Sequence, residues 1–525
     1  MKLRKAIVAT SSLALIAGLA ACSSDSTSGG EDGYVVANNS EPQNPLIPAN
    51  TNETSGGKMI DLLYAGLVYY DAEGTPHNDM AESIELEGDK TYKVVLKDGI
   101  TFADGSPVKA ENFVKAWNYA VENNQLAAQF FEPILGYAEG VKELEGLKVI
   151  DDKTFTIELK APQSEFTLQL GHTAFYPLPD EAFDDMATFG EKPNGNGPYK
   201  LESWDHNSQA ILVPNENYKG DRKAENSGIK FVFYPSQDAA YSDLLSNNLD
   251  VLDAVPDSAF STFESELGDR AVNQPAAIYQ GFTIPSKLEH FSGEEGQLRR
   301  QAIAMAINRE EITKTIFQGT RTPATDFTSP VVAGYNDKIP GAEVLAYNPD
   351  KAKELWAKAD AISPFTGEFS IGYNADGGHQ AWVDAVANQI KNTLGIDAVG
   401  NPYPDFKSLR DDIHSRTIQG AFRTGWQADY PSQGSFLISV YHTGAGSNDG
   451  DYSNPKVDDL LRKAQEAKTP EEAQEFYTQV QEILLTELPG IPLWYSNVTG
   501  GYSENVSNVT YGWNSVPQYY KITKK

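Results

Sequence analysis

One cysteine, Cys22, stands in a chain of 525 residues. No intrachain disulfide can form, so buried apolar surface and satisfied hydrogen bonds must hold every domain. A chain this long exceeds one ordinary core, which makes two or three domains the expectation. Acidic residues outnumber basic ones by 73 to 42, and the formal net charge is −31. That balance excludes nucleic acid as a partner, since nucleic-acid binding needs a basic face. It suits a protein that must stay soluble outside the cell.

The position of Cys22 carries more than its solitude. Lys2, Arg4 and Lys5 precede an apolar run from Ala6 to Ala20, the n-region and h-region of a secretory signal. The run is too short and too early for a membrane span. It ends Leu19-Ala20-Ala21-Cys22, which resembles the lipobox of bacterial lipoproteins. That resemblance implies a signal peptide over 1–21, cleavage before Cys22 and a diacylglycerol on its sulfur. Two acyl chains anchor where one would be marginal. An ordinary secreted or uncleaved start is the alternative. Loss of Lys2, Arg4 and Lys5 takes the net charge from −31 to −34. The residues that follow, to position 32, are Ser, Thr, Gly, Asp and Glu with nothing to bury. They read as a flexible tether with a reach of roughly 18 Å over ten residues. No later stretch is long and apolar enough to span a membrane.

From position 34 the chain alternates strand and helix signals. Tyr34 to Ala37 reads as a first strand, and Asn38 to Asn52 as a polar, Pro-rich loop containing Glu41 and Gln43. Met59, Leu62, Leu63 and Leu67 predict a helix that ends in a strand near Tyr70. Ile84 to Leu86 and Thr91 to Leu96 predict paired strands across Gly88-Asp89. Two Asp-Gly turns, Asp98-Gly99 and Asp104-Gly105, bracket a predicted short strand. A helix from about Ala110 to Val121 carries Phe113, Val114 and Trp117 on one face. Thr154 to Leu159 alternates as a half-buried strand. Asn194-Gly195-Asn196-Gly197-Pro198-Tyr199 predicts a glycine-dependent turn into a strand. It is no phosphate loop, because no Lys-Ser/Thr follows and no helix opens there. Past Ile229 the pattern is α/β. Asn308, Asn348, Asn454 and Thr469 are predicted helix caps. Phe369 to Tyr373, Gly420 to Gly425 and Ile491 to Tyr502 are predicted strands.

The stretch Arg423-Thr424-Gly425-Trp426-Gln427-Ala428-Asp429-Tyr430-Pro431 holds one cation, one anion and two large aromatics. A carboxylate buried between Trp and Tyr is costly unless it is paired. Two readings follow from the residues alone. Asp429 caps the turn that Pro431 begins and Trp426 is ordinary core; or Asp429 awaits a ligand ammonium and Trp426 walls its pocket.

Taken together, these stretches resemble the peptide/nickel-type family of solute-binding proteins of ABC importers, the oligopeptide-binding proteins in particular. Leu96 to Trp117 is similar to the family's Lys-Asp-Gly, Phe-x-Asp-Gly-x-Pro and Ala-Glu-Asp-Phe-Val, with Asn112 where Asp is usual. Asn194 to Leu201 is similar to its Gly-Pro-Tyr-Lys-Leu segment. Leu298 to Ile312 is similar to its Val-Arg-Gln-Ala helix and Asp-Arg-Glu start, with Asn308 replacing the Asp. Gly425 to Phe436 resembles its Gly-Trp-x-Ala-Asp-Tyr segment. The resemblance implies an α/β, periplasmic-binding-protein type II fold with two hinged lobes and an extra domain. Lobe I would comprise 33–59, 190–280 and 491–525, the extra domain 60–189, and lobe II 281–490.

By the same resemblance, Asp429 takes a ligand's N-terminal ammonium, while Trp426 and Gly425 line that pocket. Arg423 matches an arginine near the peptide's C-terminal carboxylate or a bridging water. Glu41 and Gln43 match a first-lobe segment that pairs with peptide backbone. Asn374 and His379 match a segment that helps set ligand length. Asn44-Pro45 stands where Asp-Pro is usual, and the cysteine pair that some members carry near the site is absent. The implied partners are short peptides and ABC permease subunits. The membrane is reached only through the lipid on Cys22, on the extracytoplasmic face. No cofactor, metal or nucleic acid is expected, and the chain is expected to act as a monomer. Without the family, Arg423 reads as an ion-pair residue, Glu41 as a solvated loop charge and His379 as a loop histidine.

Two other readings stand beside this one. A family member can bind an oligosaccharide, opine, nickel chelate or haem instead, but Asp429 favours a ligand bearing an ammonium. A secreted glycosidase with paired carboxylates belongs to a different class. The chain shows no Gly-x-Ser-x-Gly, no His-Glu-x-x-His and no metal spacing among its seven histidines.

Overall fold

Period-two alternation dictates the first strands. In the computed structural model, which describes residues 33–404 and 406–525, β1 covers Val35–Asn39. The expected signal peptide, Cys22 and the tether lie outside the described residues. The segment 60–189 contributes β2 (Val68–Tyr70), β3 (Pro76–Asn78), β4 (Ala81–Glu87), β5 (Thr91–Leu96), β6 (Leu147–Val149) and β7 (Thr154–Glu158). Strands β4, β5, β7 and β6 form a four-stranded antiparallel sheet in that order. Tyr92, Val94 and Leu96 of β5 and Phe155 and Ile157 of β7 point into the core, under the helix Ala110–Glu122.

That helix explains one departure from the family pattern. The Asn112 carbonyl oxygen accepts the Lys109 amide at 2.7 Å, while its amide group donates to the Leu178 carbonyl at 3.0 Å. An aspartate could supply the first bond but not the second. The short strand predicted between the two Asp-Gly turns does not form. Gly99 and Gly105 take φ of 69° and 89°, and only an isolated bridge joins Thr101 to Pro107. The loop is too tight for a ladder.

The large sheet has eleven strands. Its further members are β8 (Tyr199–Asp205), β9 (Gln209–Pro214), β10 (Ile229–Phe233), β11 (Val251–Leu252), β12 (Ala271–Thr283), β13 (Arg321–Pro323), β14 (Glu368–Asn374), β15 (Asp397–Tyr403), β16 (Ala421–Gln427) and β17 (Gly490–Tyr502). The order is β15-β14-β16-β12-β17-β11-β1-β10-β9-β8, with β13 beside β17. Two short strands, β18 (Val506–Ser507) and β19 (Thr523–Lys524), pair near the end of the chain.

Strands β12 and β17 run through both halves of this sheet. Ala271 to Pro275 pair with Gly501 to Asn497; the register then shifts before Tyr279 pairs with Tyr495. From Ile278 onward β12 also pairs with β16. The bulge over Pro275–Tyr279 therefore lies where two long strands leave one half of the sheet and enter the other, a site suited to bending.

Two apolar cores follow from this layout. One joins Val35, Ile229 and Tyr199 to Phe113, Trp117 and Phe155, so 60–189 shares its core with the first strands. Buried Arg222 reinforces that seam, with Nη2 3.1 Å from the Asp79 carboxylate and Nη1 3.0 Å from Asp61. The other core gathers Ile303, Trp356, Val383, Val480 and Trp494, and takes in Leu244, Phe263 and Leu267 as well. The segment 240–267 thus packs with this second core, although the sequence reading assigns it to lobe I. The expected boundary at 280/281 falls inside β12. The predicted caps form: Asn308, Asn348, Asn454 and Thr469 each accept an amide from their own helix.

Candidate ligand-binding site

Strand β16 has a partner along its whole length on one side only. Tyr279, Gln280 and Phe282 of β12 face Trp426, Gly425 and Arg423. On the other side β14 pairs in parallel at Ala421 and Phe422 and then diverges. From Arg423 to Gln427 that second edge has no strand partner among the described residues. Gly425 is exposed there, so backbone can approach closely. A cavity of about 240 Å³ lies beside it, lined by Arg423, Gly425, Trp426, Phe406, Arg410 and Asp449 among others. Arg410 and Asp449 neutralise each other at 2.6 Å.

Asp429 lies just past the end of β16, beyond this cavity's lining. Its amide donates to Ser435 Oγ at 2.8 Å. Among the described residues its half-buried carboxylate has no cation and no hydrogen-bond donor. Burial pushes this carboxyl up to about 7, because the charged form is penalised in a low dielectric. Its charge is felt next door: burial raises the Tyr70 and Tyr430 phenols, and Asp429 raises both further. The capping reading of Asp429 fails. Ser432 caps the helix Gln433–Tyr441, its Oγ accepting the Gly434 amide at 2.9 Å.

Other predicted residues gather at the ends of β14 and β16. Arg423 Nε donates to Asn374 Oδ1 at 2.8 Å, and the Arg423 guanidinium stacks over Phe406. Asn374 is buried. Asn374 and His379 both close on Gly377, where a Cβ would sit within 2.6 Å of each side chain. His379 Nδ1 accepts the Trp382 indole at 3.1 Å. Trp426 lines the cavity, with its indole N–H buried and without a partner among the described residues.

Glu41 and Gln43 do not join this group. Glu41 is engaged at the β8–β9 hairpin, with Oε1 2.6 Å from His206 Nδ1 and Oε2 accepting the Asn207 amide at 2.8 Å. This pairing holds the His206 imidazole above its ordinary range. The Gln43 amide donates to Glu53 at 3.3 Å and its side chain is exposed. Sequence reasoning missed Tyr70, Phe406, Arg410, Asp449 and Ser435. None carries a local signal; only the tertiary fold brings them here.

A mixed α/β sheet whose halves share two long strands, with an unpaired carboxylate just past the carboxyl end of a central strand, is the architecture of a solute-binding protein. The chain belongs to the bacterial extracellular solute-binding proteins, family 5, whose model matches residues 75–448. It is 26% identical to the oligopeptide-binding protein OppA of Bacillus subtilis, over 88% of each chain. It is 25% identical to the periplasmic oligopeptide-binding protein OppA of Salmonella typhimurium, over 94% of this chain and 93% of that one. Among solved structures, the murein tripeptide binding protein MppA of Escherichia coli superposes with a TM-score of 0.79 at 22% identity, covering 94% of this chain and 99% of its own. Haemophilus influenzae OppA in complex with RPPGFSPFR gives 0.77 at 22% identity, with the same coverage. These neighbours establish the type II periplasmic-binding fold. No helix among the described residues is long and apolar enough to cross a membrane.

Proposed function

We propose that this protein captures oligopeptides between its two lobes and delivers them to the permease of an ABC importer. One observation carries the reading: a carboxylate raised to about 7 by burial stands without a cation at the end of a strand whose adjoining edge is open. A peptide supplies what is missing at both places. Its α-ammonium gives Asp429 a charge-assisted partner. Its extended backbone adds to the β16 edge over Arg423–Gln427, where main-chain bonds give affinity without reading side chains. Trp426 and Gly425 line the path, and Arg423, held by Asn374, offers a cation further along it. Curated relatives bearing oligopeptide-binding and dipeptide-binding names support the ligand class. Glu41 and Gln43 have no direct role in this reading.

Lipidation of Cys22 would tether the body to the extracytoplasmic face of the membrane, where a monomer meets the permease. Binding and docking need no catalytic step.

Native mass spectrometry of tether-deleted protein, purified from rich medium without denaturation, tests the reading. The expected result is a ladder of co-purified peptides of two to about eight residues. A single non-peptide mass, or an empty protein with no thermal shift in peptide mixtures, would overturn it.

A further inference from the structure

Glu165 lies in the 60–189 segment, which shares its core with the first strands. Its half-buried carboxylate is nevertheless bonded to the other half of the molecule. Oε1 accepts Ser432 Oγ at 2.5 Å and Oε2 accepts the Tyr477 hydroxyl at 2.7 Å. The backbone beside it is fastened too, with the Ser164 amide donating to the Gln465 carbonyl at 2.8 Å. Gly434 approaches so closely that a Cβ there would sit 2.7 Å from Oε2.

These contacts are part of a seam that follows the Asp429 loop residue by residue. The Tyr70 phenol feels the Asp429 charge, and a Cβ on Gly74 would meet Pro431 at 2.9 Å. Glu165 then takes Ser432. The 60–189 segment therefore packs against the loop that carries Asp429. Glu165 has no cation among the described residues, and burial raises its carboxyl. A half-buried carboxylate held only by hydroxyls adds little net stability, whereas its two bonds specify one docking geometry.

We propose that Glu165 is a positioning residue for ligand capture: it fastens the 60–189 segment over the Asp429 loop and so sets how tightly Asp429 holds an ammonium. The inference rests on Asp429 being the ammonium partner. A drier carboxylate attracts a cation more strongly, because the attraction scales inversely with the local dielectric. Loosening the Glu165 seam admits water and weakens recognition of the peptide's first group, leaving contacts further along the ligand in place. The titratable neighbours that face Asp429 and Glu165 are Tyr70, Tyr430 and Tyr477, all held neutral by burial.

The test compares a casein digest with the same digest after N-acetylation, measuring retention on wild type, Glu165→Ala and Asp429→Asn. Wild type is expected to prefer the free digest, and Asp429→Asn to lose that preference. Glu165→Ala is expected to cut the free-to-acetylated ratio by roughly tenfold. A purely structural role would lower both retentions by one common factor, and that result overturns the proposal while the ammonium reading stands. Wild type that retains both digests equally, or neither, overturns the ammonium reading and this proposal with it. If circular dichroism shows that Glu165→Ala does not fold, Tyr477→Phe removes one donor and keeps the ring. A ratio reduced about threefold or more then supports the proposal, and an unchanged ratio overturns it.

Discussion

The carbonyl of Ala277 accepts the amide of Ala428 at 2.9 Å. Ala277 lies in the bulge of β12, where the two long strands pass from one half of the sheet to the other. Ala428 immediately precedes Asp429. The residue proposed to sense the ligand is thus one peptide unit from the place where the sheet is built to bend. Peptide capture is expected to slow hydrogen exchange at the Ala428 amide, because closure clamps this bond. Exchange mass spectrometry resolving residues 421–432 with and without peptide checks this; unchanged protection would separate the hinge from the site.

Replacing Asp429 with Asn removes the anion and keeps the shape. Peptide affinity is expected to fall by roughly 2–5 kcal/mol. The ligand-free protein should gain stability at the same time, by about 1–3 kcal/mol at pH 8, since a carboxylate with no cation no longer has to be buried. Titration calorimetry and denaturant unfolding together check the pair of signs. A variant that loses both affinity and stability would mark Asp429 as structural.

The elevated Asp429 carboxyl also gives a pH signature. Its folded value of about 7 lies above the ordinary carboxylate range near 4. Between those values the native state binds more protons than the unfolded state. The group's contribution to stability therefore falls as pH rises from about 4 to about 7. Binding an ammonium reverses the preference and holds the carboxylate ionised. Capture near pH 6 should release close to one proton, and affinity should drop about tenfold per unit of pH below 7. Calorimetry in buffers of different ionisation enthalpy measures the release, which Asp429→Asn should abolish.

Gly195 cannot accept a side chain. A Cβ there would lie 1.9 Å from the Leu63 carbonyl oxygen, and at Gly197 one would lie 2.5 Å from the Tyr64 amide. Between them Asn196 satisfies both the amide and the carbonyl of Ala65, at 3.0 and 2.9 Å. Gly195→Ala is expected to cost on the order of 3 kcal/mol through backbone displacement. Denaturant midpoints check this against Gly99→Ala. Gly99 meets no atom within 4 Å, and only its φ of 69° is at stake.

Breaking the Arg222–Asp79 pair should be among the most damaging single changes. Arg222 and Asp79 are both buried, and Asp79→Ala leaves the guanidinium with the half-exposed Asp61 carboxylate as its one ion-pair partner among the described residues, beside the Asp61 and Tyr64 carbonyls. A cost of about 3–5 kcal/mol is expected in thermal unfolding. Restoring shape by replacing both partners with apolar residues should recover part of it.

Much of this molecule was legible as local pattern. Alternation located β5, β7 and β14, and side-chain caps at Asn308, Asn348, Asn454 and Thr469 located helix starts, because both depend on neighbours a few residues away. The tetrad Gly425-Trp426, Asp429-Tyr430 marked the candidate site for the same reason, as charge and aromatics in one short run. The setting of Glu41 was not legible: a loop glutamate carries no local sign that His206 and Asn207, about 165 residues on, will engage it. The sequence by itself determined which segments become strands and helices and which carboxylate stands among aromatics. Only the tertiary structure decided that this carboxylate is left without a cation, that β16 keeps an open edge, and that Glu165 reaches across 267 residues to Ser432. The physical reason is that desolvation and strand pairing are properties of the whole assembled surface, and no window of sequence contains them.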